Sequence, residues 1–139
     1  KKVGIKINLK NVDYNVLDGI GVRGEYDLLI SNILTEQAGD PEVFVNQYWK
    51  TNVDGSNPQN GSGYSNPEYD ALSDQLASEF DPAKRRDIII KMEKIVQDDA
   101  ATLIFGYPQT NMVSNKSVQN ANIYPCDYYW VTKDITPAK

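Results

Sequence analysis

Asp98 and Asp99 form the most obvious acid pair in this chain, and paired carboxylates can divide general acid and base work when they face each other. Neighbours on a helix point apart, so this pair fails the geometric requirement. Gly19-Ile20-Gly21-Val22-Arg23-Gly24 comes closest to a dinucleotide fingerprint, yet it precedes an expected strand where the fingerprint must follow one. Asp54, Asn57 and Asn60, with Gly55 and Gly61, superficially suit a calcium loop. The closing bidentate glutamate would fall at Ser65, so calcium is rejected. There is no histidine, which removes the commonest general base and the commonest transition-metal ligand together. Serines and lysines are plentiful, but no G-x-S-x-G elbow and no P-loop positions them. The residue types therefore describe a non-enzyme with no catalytic residue, no metal and no cofactor.

Composition narrows the partners. The chain has 139 residues, the size of one domain with a proper core. Asp and Glu number 19 against 14 Lys and Arg, and no basic stripe appears, which argues against nucleic acid and anionic membrane. No apolar run reaches membrane-spanning length. Cys126 is the single cysteine, so an internal disulfide and a cysteine-based zinc site are both excluded. The chain opens at Lys1-Lys2 without initiator methionine, signal peptide or lipid-attachment motif, as expected of a fragment of a longer protein.

The elements that could position a site centre on residues 63–105. Asn66-Pro67 and Asp81-Pro82 each pair a natural N-cap with a proline at the first helical position. Tyr69, Leu72, Leu76, Ala77 and Phe80 give the first of these helices its apolar stripe. Ile88, Ile89, Met92, Ile95 and Val96 give the second, which Asp98-Asp99 close poorly at the negative end of the helix dipole. Residues 101–107 then read as a short buried strand. Earlier in the chain, Val3, Ile5, Ile7 and Leu9 alternate with polar residues and glycine, the period of a half-buried strand. Asp13 can cap a short helix carrying Val16, Leu17 and Ile20, which glycines 19, 21 and 24 weaken and end. Residues 26–34 form an apolar run suited to a strand covered on both faces. Strand, helix and strand read as a βαβ crossover, and hence an α/β sheet.

Residues 31–40 follow that second strand, where ligands of open α/β sheets usually bind. An ordinary strand-to-helix loop is the alternative. Asp40-Pro41 should start a third helix with Val43, Phe44, Gln47 and Tyr48 inward. Residues 51–66 lack apolar periodicity and read either as a surface excursion or as a cleft-lining loop. Near the end, Tyr124, Tyr128, Tyr129 and Trp130 crowd a short stretch that needs a surface to cover.

Several of these stretches together resemble family 5 extracellular solute-binding proteins, the oligopeptide, dipeptide and nickel receptors of ABC importers. They are Asn60-Gly-Ser-Gly-Tyr-Ser-Asn-Pro-Glu-Tyr-Asp-Ala-Leu72, Asp81-Pro-Ala-Lys-Arg85, and the Asp-Asp-Ala-Ala transition from helix to strand. Val3-Gly-Ile-Lys-Ile-Asn-Leu9, Gly24-Glu-Tyr-Asp-Leu28, and Gly39-Asp-Pro41 with Phe44 extend the likeness in the right order. It is strongest as far as residue 107.

The resemblance implies an α/β, type II periplasmic-binding-protein-like lobe with a central mixed sheet flanked by helices. Residues 1–139 would form a single domain, most of the C-terminal lobe of a two-lobed receptor, with residues 108–139 returning toward the missing lobe. It implies an extracytoplasmic protein, periplasmic or a cell-surface lipoprotein, that hands a peptide or related small solute to an ABC transporter permease. Asn32, Leu34, Gln37 and Asp40 match the ligand loop of the family. Arg85 and Asp70 match polar positions and read as a structural ion pair or helix-surface charges. Where peptide-binding members carry a tryptophan and an aspartate that meets the α-amino group, this chain has Leu34 and Gln37, and Glu36 points elsewhere on an extended backbone. That argues against dipeptide-type recognition and leaves a longer peptide held through its backbone, or a non-peptide solute. The lack of histidine weakens direct nickel binding. The reading from another class is a non-catalytic α/β interaction domain that uses its aromatic tail as contact surface.

Overall fold

Local capping chemistry sets the helices. The structure, a computed structural model, describes residues 3–33, 40–107, 109, 111–123 and 131–138. The chain divides into two compact units, Lys1–Thr102 and Leu103–Lys139. In the first unit, α1 (Tyr14–Arg23) is capped by Asp13, whose carboxylate accepts from the Asn15 amide at 2.9 Å. Gly24 ends it in the left-handed region at φ 65°, with the Glu25 amide returning to the Ile20 carbonyl as the Schellman motif requires. α2 (Glu42–Trp49) follows Asp40-Pro41, and Asp40 Oδ1 accepts from the Glu42 amide. Asn66 caps α3 (Pro67–Ser78) through the Glu68 and Tyr69 amides, and Asp81 caps α4 (Pro82–Asp98) through those of Ala83 and Lys84. Both cap-plus-proline starts stand where the sequence implies.

α2, α3 and α4 pack on one another around Val45, Tyr69, Leu76, Ile88, Ile89, Met92 and Val96. The stripe expected for α4 is the one buried. Two other faces are shifted. α2 turns Val45 inward with half-buried Phe44 and Trp49, whose rings meet edge to face at 5.0 Å, while Val43 is exposed. On α3, Ser73 is buried in place of Ala77 because its hydroxyl donates to Asn46 Oδ1 at 2.8 Å. Phe80 is 87% exposed, for α3 stops at Ser78 and the two-residue link to Asp81 leaves the helical phase.

The expected strands at 3–12, 26–33 and 101–107 form no ladder among the described residues. Val3, Ile5, Ile7 and Leu9 lie in solvent, as do Leu28, Ile30, Leu103, Ile104 and Phe105. Alternation marks a stretch as able to be a strand, but a strand is stable only beside another, and these stretches have no paired neighbour. The βαβ crossover is likewise unformed here. Leu34, the last residue of the second expected strand, lies outside the described residues.

Among its described residues the second unit contains one short antiparallel pair, β1 (Val118–Gln119) with β2 (Thr136–Pro137), Val118 facing Pro137 and Gln119 facing Thr136. The aromatic stretch from Tyr124 to Trp130, with Cys126, lies outside the described residues.

Candidate functional site

Of the four residues matched to a ligand loop, Asn32 and Asp40 are described, and Leu34 and Gln37 lie outside the described residues. Asn32 is exposed on an irregular stretch. Asp40 is half-buried and has both oxygens engaged: Oδ1 accepts from the Glu42 amide just after the Pro41 N-cap of α2, and Oδ2 accepts from Arg85 Nη2 at 2.8 Å. No hydrogen bond joins Asn32 to Asp40.

Arg85 stands in the first turns of α4 with its side chain 16% exposed. Nη2 also donates to Glu42 Oε2 at 2.7 Å, while Nη1 donates to the carbonyls of Leu76 and Glu79 at 2.8 and 2.7 Å. One planar fork thus joins the start of α2 to the last turn of α3, where the carbonyls carry the negative end of the dipole. Glu42 first, and Asp40 after it, raise the guanidinium's already high pKa. Arg85 is thus a structural ion-pair residue whose partners are Asp40 and Glu42, not Asp70. Asp70 is structural too, accepting from the amide and the hydroxyl of Thr51.

Beside Asp40 opens a groove of about 400 Å³ between the Asp40-Pro41 turn and α4. Ile89 and Ile90 supply apolar lining; Arg86 and Glu93 supply opposite charges. Arg86 forms no ion pair among the described residues. Such lining can hold an apolar side chain and orient charged ends. No helix of the described residues is long and apolar enough to cross a membrane.

The long loop at 51–66 has a structural role that its lack of apolar periodicity concealed. Asn57 Nδ2 donates to the carbonyls of Asn46 and Lys50, and Asn60 Nδ2 to those of Lys50 and Tyr64. Asn60 is only 3% exposed, and its Oδ1 accepts from Ser62. Both side chains close the C-terminal end of α2. The available signal was two side-chain amides soon after a helix, since such amides can satisfy carbonyls that have no N–H in reach.

No family model matches the chain, and neither does any solved structure. The chain is similar to the probable D,D-dipeptide-binding periplasmic protein DdpA of Escherichia coli (strain K12), with 31% identity over 119 residues. The aligned region makes up 85% of this chain and spans 22% of that protein's length.

Proposed function

We propose that this chain is most of the C-terminal lobe of a family 5 solute receptor, an extracytoplasmic binding component of an ABC importer that catalyses no reaction. The likeness to a D,D-dipeptide-binding periplasmic protein across 85% of the chain carries this reading. The fold proposed for the complete lobe is type II periplasmic-binding-protein-like, a mixed sheet flanked by helices. Exposed apolar rows at 3–9, 28–30 and 103–105 support it, because strand-patterned segments in water call for partner strands.

The solute, a peptide or a related small molecule, lies between this lobe and a second one that closes over it. Asn32, Leu34, Gln37 and Asp40 belong to the wall on this side. Closure excludes water and strengthens each polar contact in the cleft. Gln37 brings no charge to a peptide's α-amino group, so that group depends on a carboxylate elsewhere. Asp40 keeps 43% of its side chain exposed and can supply one.

Calorimetric titration of the natural full-length protein with D-alanyl-D-alanine, its L,L isomer and their N-acetylated forms tests the reading. Binding of a free dipeptide, weakened by acetylation, is the expected result. Loss of a charge-assisted hydrogen bond costs about 1.5–3 kcal/mol, or roughly ten- to a hundredfold in affinity. Equal binding of free and acetylated forms would remove the amino-group contact. Absence of binding to all four would overturn the dipeptide reading.

A further inference from the structure

We propose that Arg85 is a positioning residue for solute binding: it holds the Asp40 carboxylate in a single orientation at the edge of the α4 groove. This rests on the reading of Asp40 as part of the solute wall. Both Asp40 oxygens are occupied from the protein side, by the Glu42 amide at 2.9 Å and by Arg85 Nη2 at 2.8 Å. Each oxygen has a second lone pair, and the side chain stays partly open to the groove. A solute donor therefore meets an acceptor already aimed, with no side-chain ordering left to oppose binding.

Arg85 can impose that aim because its own position is over-determined. The Leu76 and Glu79 carbonyls fix Nη1, and Glu42 shares Nη2. Swinging Asp40 away would leave the fork facing Glu42 alone on that side. Lysine lacks the rigid fork and cannot hold all four acceptors in this geometry. The affinity for solute is thus set partly by a residue whose own hydrogen bonds are all to the protein.

The test uses the natural full-length protein, D-alanyl-D-alanine as probe, and the variants Arg85→Gln, Arg85→Lys, Asp40→Asn and the double Arg85→Gln/Asp40→Asn. Leu72→Ala, which loosens the helix core without removing a hydrogen bond to Asp40, controls for lost stability. Arg85→Gln should weaken binding by about tenfold, and Arg85→Lys by less. The double variant should bind no more weakly than Asp40→Asn alone, because Arg85 acts through Asp40. Leu72→Ala should lower the urea midpoint and leave the Kd alone. Hydrogen exchange at the Glu42 amide should accelerate in Arg85→Gln more than exchange in the middle of α4. Wild-type affinity in Arg85→Gln, or additive losses in the double variant, would overturn the proposal. If the wild-type protein does not bind the probe, the dipeptide reading fails instead. An unchanged Glu42 exchange in Arg85→Gln would then overturn Arg85's hold on Asp40 independently.

Discussion

At the scale of single residues, carboxylates act here mainly as connectors. Asp99 ends α4 and accepts from Tyr64 Oη at 2.6 Å and from Asn66 Nδ2 at 2.8 Å, tying that end to the cap of α3. The sequence marks Asp98-Asp99 as a poor helix end, and the structure supplies the donors that offset it. Tyr64's bond, and Asn66's after it, hold the Asp99 carboxyl below its ordinary value of 3.8. A depressed carboxylate stabilises the fold above its unfolded pKa, and the contribution disappears as pH falls through the folded one. Asp99→Asn should therefore lower the urea midpoint at about pH 6, with the gap from wild type closing as the solution is acidified below 3.8. A gap unchanged down to about pH 2 would show that Asp99 is not the titrating group. Burial, and secondarily the bond to Asp99, push the Tyr64 phenol up to about 12. In the same variant, ultraviolet titration should find Tyr64 ionising at lower pH, though still above 10.0 because the burial remains.

At the scale of elements, helix ends decide where the helices sit. α2 is closed by side-chain amides from the following loop, and Asn60, from a buried position, donates to the Lys50 carbonyl at that end and to the Tyr64 carbonyl within the loop. Asn60→Ala should destabilise the protein by about 1–3 kcal/mol, since it takes the side-chain donor from the part-buried Tyr64 carbonyl and leaves that of Lys50 to Asn57 alone. Asn60→Asp should do no better, because a carboxylate cannot donate. Urea denaturation measures both; a loss no larger than that of exposed Gln97→Ala would contradict the role. Gly61 approaches the end of α1 so closely that a Cβ there would collide with the Gly21 carbonyl oxygen. Overpacking of this kind costs about 1–3 kcal/mol unless the backbone gives way. In Gly61→Ala, hydrogen exchange should quicken in α1 and stay unchanged in the middle of α4. The capping residues were legible because Asp13, Asn66 and Asp81 act within three residues of themselves. The loop's asparagines were not, because the Asn46 and Lys50 carbonyls they close lie at the end of a different element.

At the scale of the whole molecule, stability should be concentrated in α2, α3 and α4. In residues 1–139 alone, exchange should be slowest at buried positions of α3 and α4 such as Leu76 and Met92. Residues 3–9, 26–33 and 103–107 should exchange rapidly, since no ladder protects their amides among the described residues. In the natural full-length protein those same segments should become protected, if they enter the proposed sheet. Rapid exchange there in both forms would count against the type II lobe.

The sequence by itself determined where α1, α3 and α4 begin, through a side-chain oxygen able to accept the first free amides and, in α3 and α4, proline at the first helical position. It also identified the buried face of α4, since a long helix leaves a periodic record. It marked residues 3–12, 26–34 and 101–107 as strand-patterned and missed the short pair at Val118–Gln119 and Thr136–Pro137, because pairing joins residues far apart in the chain and local pattern carries no information about the partner. Only the tertiary structure decided that Val45 and Ser73 turn inward where Val43 and Ala77 were expected, because short helices rotate to suit what they pack against. Only the tertiary structure brought Arg85 onto Asp40, 45 positions earlier, and so linked the candidate solute wall to the ends of three helices. Caps are local hydrogen bonds and are written locally, whereas a shared guanidinium depends on where folding brings its acceptors.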